Sequence, residues 1–325
     1  MVVSNMTKPI VFISYSGRGV ELVYEMAAAV VGGLDRLQER PFVIAYSKPI
    51  SPMVYPADVV DRIFAAADLR MPQIPAPSVM MGATGPVTLA GAAVQGLAES
   101  LMCLTLAQLR KPGCPVSLST NMAVMDMSSG LSAFGAPTKS TALCVHAEVA
   151  KSFGLPTWGL AGATDSKLID AQAGVEATFH IMAQALAGVN LIHDVGYIDS
   201  AMTCSPQQLV LGNEIISMVK HFLKGFMVNR ETLAREVIEA VGPGGQFLAQ
   251  QHTLNHFRQQ IWQPKLMNRQ TRAQWQQSGK IDIADRILKQ TIEILENHQP
   301  PKLGDKIMDE LEKIRVRGER ELITE

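Results

Sequence analysis

Between Lys8 and Lys224, short apolar runs that end in small or polar residues alternate with longer amphipathic segments. The runs are IVFISYS (10–16), FVIAYSKP (42–49), QIPAPSVMMGA (73–83), PVSLSTN (115–121), PTWGLAGATD (156–165) and NLIHDVGY (190–197). A beat of strand, polar loop and helix predicts a parallel sheet with crossover helices, because parallel strands need a long return connection. In such folds the chemistry sits on loops at the carboxyl ends of the strands. Those ends carry Tyr15, Tyr46, Lys48, Met81, Thr84, Asn121, Asp165, His193 and Tyr197.

Apolar positions at helical spacing, among them Val20, Val23, Ala27, Val30 and Leu34, predict a helix over 18–38. Pro56 opens a second to about residue 68, and a third spans 86–110, closed by Lys-Pro-Gly at 111–113. Further helices are expected over 138–153, over 167–187 with Asp165 or Ser166 as cap, and over 206–223 with Ser205 as cap. After Gly225 the texture becomes polar: one helix over 229–241, a break at GPGG (242–245), then charged helix interrupted by Pro300 and Pro301. The expected domains are therefore a (β/α) portion, 1–228, and a C-terminal helical extension packed on it, 229–325. No GxGxxG follows a strand, since Ser16-Gly17-Arg18-Gly19 is only a fragment of one, and no P-loop is present. A closed (β/α)8 barrel needs eight units. The expected fold is α/β, related to the TIM-type barrel, with about six βα units present and the N-terminal units missing.

The net charge of −1, with 18% charged residues, offers no basic field for nucleic acid and no polybasic patch for lipid. The apolar stretch 85–109 is interrupted by Gln95, Glu99 and Gln108, short of a membrane span. Four cysteines without CxxC spacing, and no signal-peptide pattern at the start, suggest reduced thiols and a cytoplasmic protein.

Three blocks carry a likeness to a known family: LPTWGLAGATDSKLIDAQAG (155–174), GVNLIHDVGYIDSAMTCSPQQLVLGNEI (188–215) and GGQFLAQQHTLNHFRQQIWQPKLMNR (244–269). With TKPIVF (7–12) and GATGPVTLAGA (82–92), the chain resembles the trimethylamine methyltransferase family along essentially its whole length. The resemblance implies a (β/α)8 barrel with a further N-terminal part. It implies transfer of a methyl group from a methylated amine to a corrinoid held by a separate cognate protein, and a homo-oligomer. Trimethylamine enzymes of the family carry pyrrolysine; this sequence shows none and looks like the glycine betaine branch, which uses quaternary amines. Chemistry agrees with that division. A quaternary ammonium already has a neutral tertiary amine as leaving group, so attack by Co(I) needs no acid.

Such a reaction asks mainly for placement and exclusion of water. Aromatic faces hold a cation at ~0.5–2 kcal/mol each. Tyr15, Tyr46, Trp158 and Tyr197 are candidates for that role, with core packing as the alternative for each. His193 and Asp165 are the candidate catalytic residues. His193 would hydrogen-bond a substrate carboxylate or position the amine; the alternatives are a satisfied core histidine and, for Asp165, a helix cap. In a strand His193 and Asp194 would face opposite ways. Thr84 and Asn121 could donate to a carboxylate. HDVG mimics part of the cobalamin-ligating D-x-H-x-x-G pattern, but Leu191 stands where its aspartate belongs, so no cofactor is expected on this chain. His252 and His256 share the spacing of a zinc protease without its glutamate, and no metal is expected there. Two alternatives stay open: a Schiff-base lyase using Lys48 or Lys167, and a truncated, non-catalytic remnant that binds a betaine or a partner.

Overall fold

A computed structural model describes residues 2–323. The strands are short and mostly parallel. β1 (Ile10–Phe12), β2 (Val43–Ser47) and β3 (Gln73–Pro75) pair in that order. β4 (Ser78–Met81) pairs with β5 (Asn121–Val124), and β6 (Trp158–Leu160) with β7 (Leu191–His193). A parallel bridge, Gln73 to Val116, carries the first sheet toward the segment before β5. The Leu118 amide then donates to the Pro156 carbonyl at 2.9 Å, next to β6. Each extended segment thus lies beside the next one in sequence, with no reversal of order. That is what successive crossover helices on one side produce.

The helices of these units are α1 (Gly17–Val31), α2 (Leu34–Glu39), α3 (Ala57–Asp68), α4 (Leu89–Arg110), α5 (Pro137–Ser152), α6 (Ala171–Leu186) and α7 (Pro206–Leu223). From α3 to α7 each packs on the next, and α1 packs on α3. The core lies between helices and strands: Val20, Tyr24 and Ala27 of α1 meet Val43 and Ala45 of β2, and Ala142 and Leu143 of α5 meet Met122 of β5. α4 is long and apolar enough to pass for a membrane span by length and composition. It packs between α3 and α5, and its Glu99 is buried, accepting from Ser51 Oγ at 2.6 Å and Gln95 Nε2 at 2.9 Å.

Several boundaries differ from the sequence expectation. The helix expected over 18–38 is broken because Gly32 and Gly33 both take positive φ (87° and 137°), which glycine allows without steric penalty. The helix expected over 167–187 starts at Ala171. Its cap is Asp170, which accepts from the Ala173 amide at 3.0 Å, and not Asp165 or Ser166. An antiparallel hairpin, β8 (Tyr197–Ile198) with β9 (Thr203–Cys204), follows β7. Its turn holds Asp199, Ser200 and Ala201 in the left-handed region, and no glycine announces it.

The polar C-terminal part forms α8 (Arg230–Leu233), α9 (Arg235–Val241), α10 (Gln251–Gln260), α11 (Arg272–Gln277), α12 (Ile283–Asn297) and α13 (Asp305–Ile323). Ala234, with φ 48°, divides the helix expected over 229–241. α12 buries Ile287 against Leu211 and Ile215 of α7. α13 crosses α1 so closely that a Cβ on Gly318 would stand 2.8 Å from a Leu22 methyl, and Arg18 pairs with Glu321 at 2.8 Å. The C-terminal helices therefore reach both ends of the helix array.

Candidate active site

Three rings from strands far apart in the sequence converge. Tyr46 comes from β2, Trp158 from the start of β6 and His193 from the end of β7. Trp158 stacks on His193 with ring centres 4.1 Å apart and 22° between planes; Tyr46 lies 6.0 Å from Trp158 and 6.4 Å from His193. Strand pairing sets this geometry, since Trp158 is in register with Leu191 and Leu160 with His193. Tyr46 and Trp158 are buried together with Ile74 and Ala76.

The polar groups around the rings are only partly satisfied. Asn121 Nδ2 donates to the Tyr46 hydroxyl, which leaves Asn121 Oδ1 without a partner. Burial pushes the Tyr46 phenol up to about 12, so it stays protonated at neutral pH. Trp158 Nε1 and His193 Nε2 are also buried without partners. His193 Nδ1 lies 2.8 Å from Asp194 Oδ1, and the Asp194 side chain is only 10% exposed. The opposite-faces expectation for this pair does not hold. β7 ends at His193, and Asp194 has φ 74°, so the chain turns and brings its carboxylate back to the imidazole.

The other predicted residues have different places. Asp165 is the fastening point of three loops: its carboxylate accepts from the Phe134 and Gly135 amides, both at 2.8 Å, and from Ser200 Oγ at 2.8 Å. Glu176 braces it from α6, accepting from the Asp165 amide at 2.8 Å and from Thr164 Oγ1 at 2.5 Å. Thr84 is occupied within its own turn, its hydroxyl accepting from the Met80 amide at 2.8 Å. Tyr197 lies in the hairpin, where a hydrogen bond with Cys204 raises its pKa. Tyr15 is 94% exposed and borders a separate groove of about 570 Å³ between α1 and α13. The structure does not bring Tyr15 or Thr84 to the ring cluster. Asn121, expected at the carboxyl end of a strand, is the first residue of β5 and reaches the rings from there.

Lys48 and Lys167 are both exposed, and Lys167 donates to the Asp165 carbonyl at 2.7 Å. Neither is desolvated, as an imine-forming lysine is. His252 and His256 lie with ring centres 4.4 Å apart and planes tilted by 44°, near Glu231, with His256 Nε2 3.2 Å from its carboxylate. No set of three His, Cys, Asp or Glu side chains is placed to hold a metal among the described residues.

One residue that sequence reasoning missed is Lys139, in the first turn of α5. It is 1% exposed, its Nζ has no hydrogen-bond partner, and it sits 4.4 Å above the Phe134 ring. Burial lowers its pKa to about 8 against the fields of Asp194, Asp165 and Glu176, which raise it. A signal was available: a lysine in the first turn opposes the helix dipole, which favours anions there. Behind it, Ser140 Oγ hydrogen-bonds His180 Nδ1 in full burial.

Short parallel strands alternating with helices define an α/β protein, in which a buried aromatic cluster carries unpartnered polar atoms. The chain belongs to the trimethylamine methyltransferase (MTTB) family, whose model matches residues 1–322. It is similar to trimethylamine methyltransferase MttB of Desulfitobacterium hafniense (strain DSM 10664 / DCB-2), at 37% identity over 96% of this chain and 63% of that protein. Glycine betaine methyltransferase of Desulfitobacterium hafniense (strain Y51) is 34% identical over 87% of this chain and 59% of that protein. For MttB of Methanosarcina thermophila the values are 33%, 91% and 61%. The chain thus spans about three fifths of the length of these curated relatives. The identities to the two kinds of relative are close and do not choose between them. Among solved structures, a deoxyribose phosphate aldolase from Aeropyrum pernix aligns over 61% of this chain and 80% of its own, at 13% identity and a TM-score of 0.33. That similarity is too low to carry an argument.

Proposed function

We propose that this chain holds a quaternary ammonium compound, glycine betaine or a close analogue, with one methyl carbon turned toward the Co(I) of a corrinoid on a separate protein. The observation that supports this most is the ring cluster of Tyr46, Trp158 and His193 with the Asp194 carboxylate behind it. Aromatic faces attract a cation by ~0.5–2 kcal/mol each, more when water is excluded, and a nearby carboxylate adds to the field. The corrinoid supplies the nucleophile: its Co(I) lone pair forms the new bond to carbon while the C–N pair returns to nitrogen and a neutral tertiary amine leaves. Placement is then the protein's main task. Tyr46, fixed by Asn121, and Trp158, stacked on His193, position the ammonium. Asp194 orients His193. Asp165 acts at one remove by tying the 134–135 and 200 loops together.

Six consecutive parallel units support a portion of a (β/α)8 barrel over 1–228, with 229–325 as a helical extension. Val94, Met102 and Leu109 of α4 and Val175, Phe179 and Leu186 of α6 are exposed apolar residues that would suit a homo-oligomer contact. A reduced, cytoplasmic setting fits the four free cysteines and the Co(I) chemistry. The test is to mix the purified chain with a Co(I) corrinoid protein and a panel of methylated amines. Loss of the Co(I) absorbance is expected with a betaine and not with trimethylamine. No loss with any quaternary amine, where a full-length relative succeeds, would overturn this function for the chain.

A further inference from the structure

Lys139 is a charged side chain that the methyl-transfer chemistry does not use, placed where charge is expensive. Its Nζ carries up to three donors in a site from which water is excluded, and none of them meets an acceptor. Unpaired buried donors cost free energy and are rare in folded proteins. The three carboxylates whose fields act on it do not satisfy it. Asp165 is taken up by two backbone amides and Ser200, and Glu176 by Asp165, Thr164 and Gln172. Asp194 faces His193. The remaining titratable neighbour, His180, already hydrogen-bonds Ser140.

Asp194, whose carboxylate lies 2.8 Å from His193 Nδ1, is among the charges that act on both Lys139 and Tyr46. That carboxylate ties the buried amine to the ring cluster. Among the unpartnered atoms of the region, Asn121 Oδ1 can only accept and His193 Nε2 takes either role, while Lys139 Nζ and Trp158 Nε1 can only donate. A cation alone would leave both unpaired; a ligand with an anionic end as well would satisfy them.

We propose that Lys139 is a specificity residue that receives the carboxylate of a zwitterionic methylated amine while the ring cluster takes its ammonium end. This rests on the function proposed above. A trimethylammonium compound without the carboxylate gains the rings and loses the lysine.

The experiment is calorimetric titration of glycine betaine and of choline, which shares the trimethylammonium head, into the wild-type chain, K139M and K139Q. Thermal melts of each variant verify that it is folded. A charge-assisted hydrogen bond of ~1.5–3 kcal/mol predicts that the wild type prefers glycine betaine by about 10-fold to 100-fold. In both variants that ratio falls toward one. A preference that survives in folded K139M and K139Q would overturn the assignment of Lys139 while leaving the quaternary amine function standing. Wild-type protein that binds both compounds equally would do the same. Binding of neither compound would instead remove the ring-cluster reading and the lysine's role with it.

Discussion

Replacing Lys139 with methionine should stabilise the protein at neutral pH. The lysine is buried against the Phe134 ring with no hydrogen-bond partner, and burial lowers its pKa from 10.5 to about 8 despite Asp194, Asp165 and Glu176. At 1.36 kcal/mol per pKa unit, that fall is worth about 3 kcal/mol, an order-of-magnitude figure. Its sign follows from linkage. Below pH 8 the lysine is protonated in both folded and unfolded chains, and the full cost of the buried charge is present. Between pH 8 and 10.5 the folded state gives up its proton first, so the unfolded state binds more protons and this group's contribution to stability rises with pH. Methionine fills a similar space and carries no charge. K139M should therefore exceed the wild type by about 3 kcal/mol at pH 7, with the gap narrowing above pH 8. Tyr46 and Cys103, each pushed up to about 12 by burial, titrate alike in both proteins and cancel from the difference. Urea unfolding at pH 7, 8.5 and 9.5 measures it. A variant no more stable than wild type at pH 7, or a gap that does not change with pH, would refute the reasoning.

Two further outcomes follow from other buried polar groups. His146 is buried beneath the Leu118 carbonyl, and burial pushes its pKa down to about 4. The unfolded chain takes up that proton near pH 6.5, so stability should drain away as pH falls from 6.5 toward 4, by up to about 3 kcal/mol; acid titration monitored by circular dichroism should show a flatter curve for H146Q over that window. Asp165→Ala removes the acceptor of two backbone amides and a serine hydroxyl. It should cost roughly 2–4 kcal/mol of stability, and limited proteolysis should cut between residues 125 and 136 earlier than in wild type.

Much of the architecture is legible in the sequence because the βα rhythm is long and regular. Ser205 caps α7, and the break at Pro300–Pro301 separates α12 from α13, as read from composition. Tyr46 and His193 lie at or beside the carboxyl ends of β2 and β7, as the apolar runs indicate, whereas Trp158 opens β6 and meets them through strand pairing. Positions governed by unusual backbone conformation were not legible. Asp194 and the turn Asp199–Ala201 take left-handed φ without glycine, so neither the return of Asp194 to His193 nor the hairpin had a local signature. Asp165 looked like a cap because it precedes a helical pattern, but the helix begins only after Asp170. Tyr15 has the residue type of an onium ligand, yet it follows a three-residue edge strand and points to solvent. Lys139 lies in a helix, where lysine is ordinarily a surface residue, and only its place in the first turn, against the dipole, marks it in the sequence.

A crystal structure of the chain grown with glycine betaine tests the central claim most directly. The account predicts the trimethylammonium group within ~6 Å of the ring centres of Tyr46 and Trp158, with the carboxylate directed to Lys139. Betaine bound at another site, for example in the groove between α1 and α13 beside Tyr15, would contradict it.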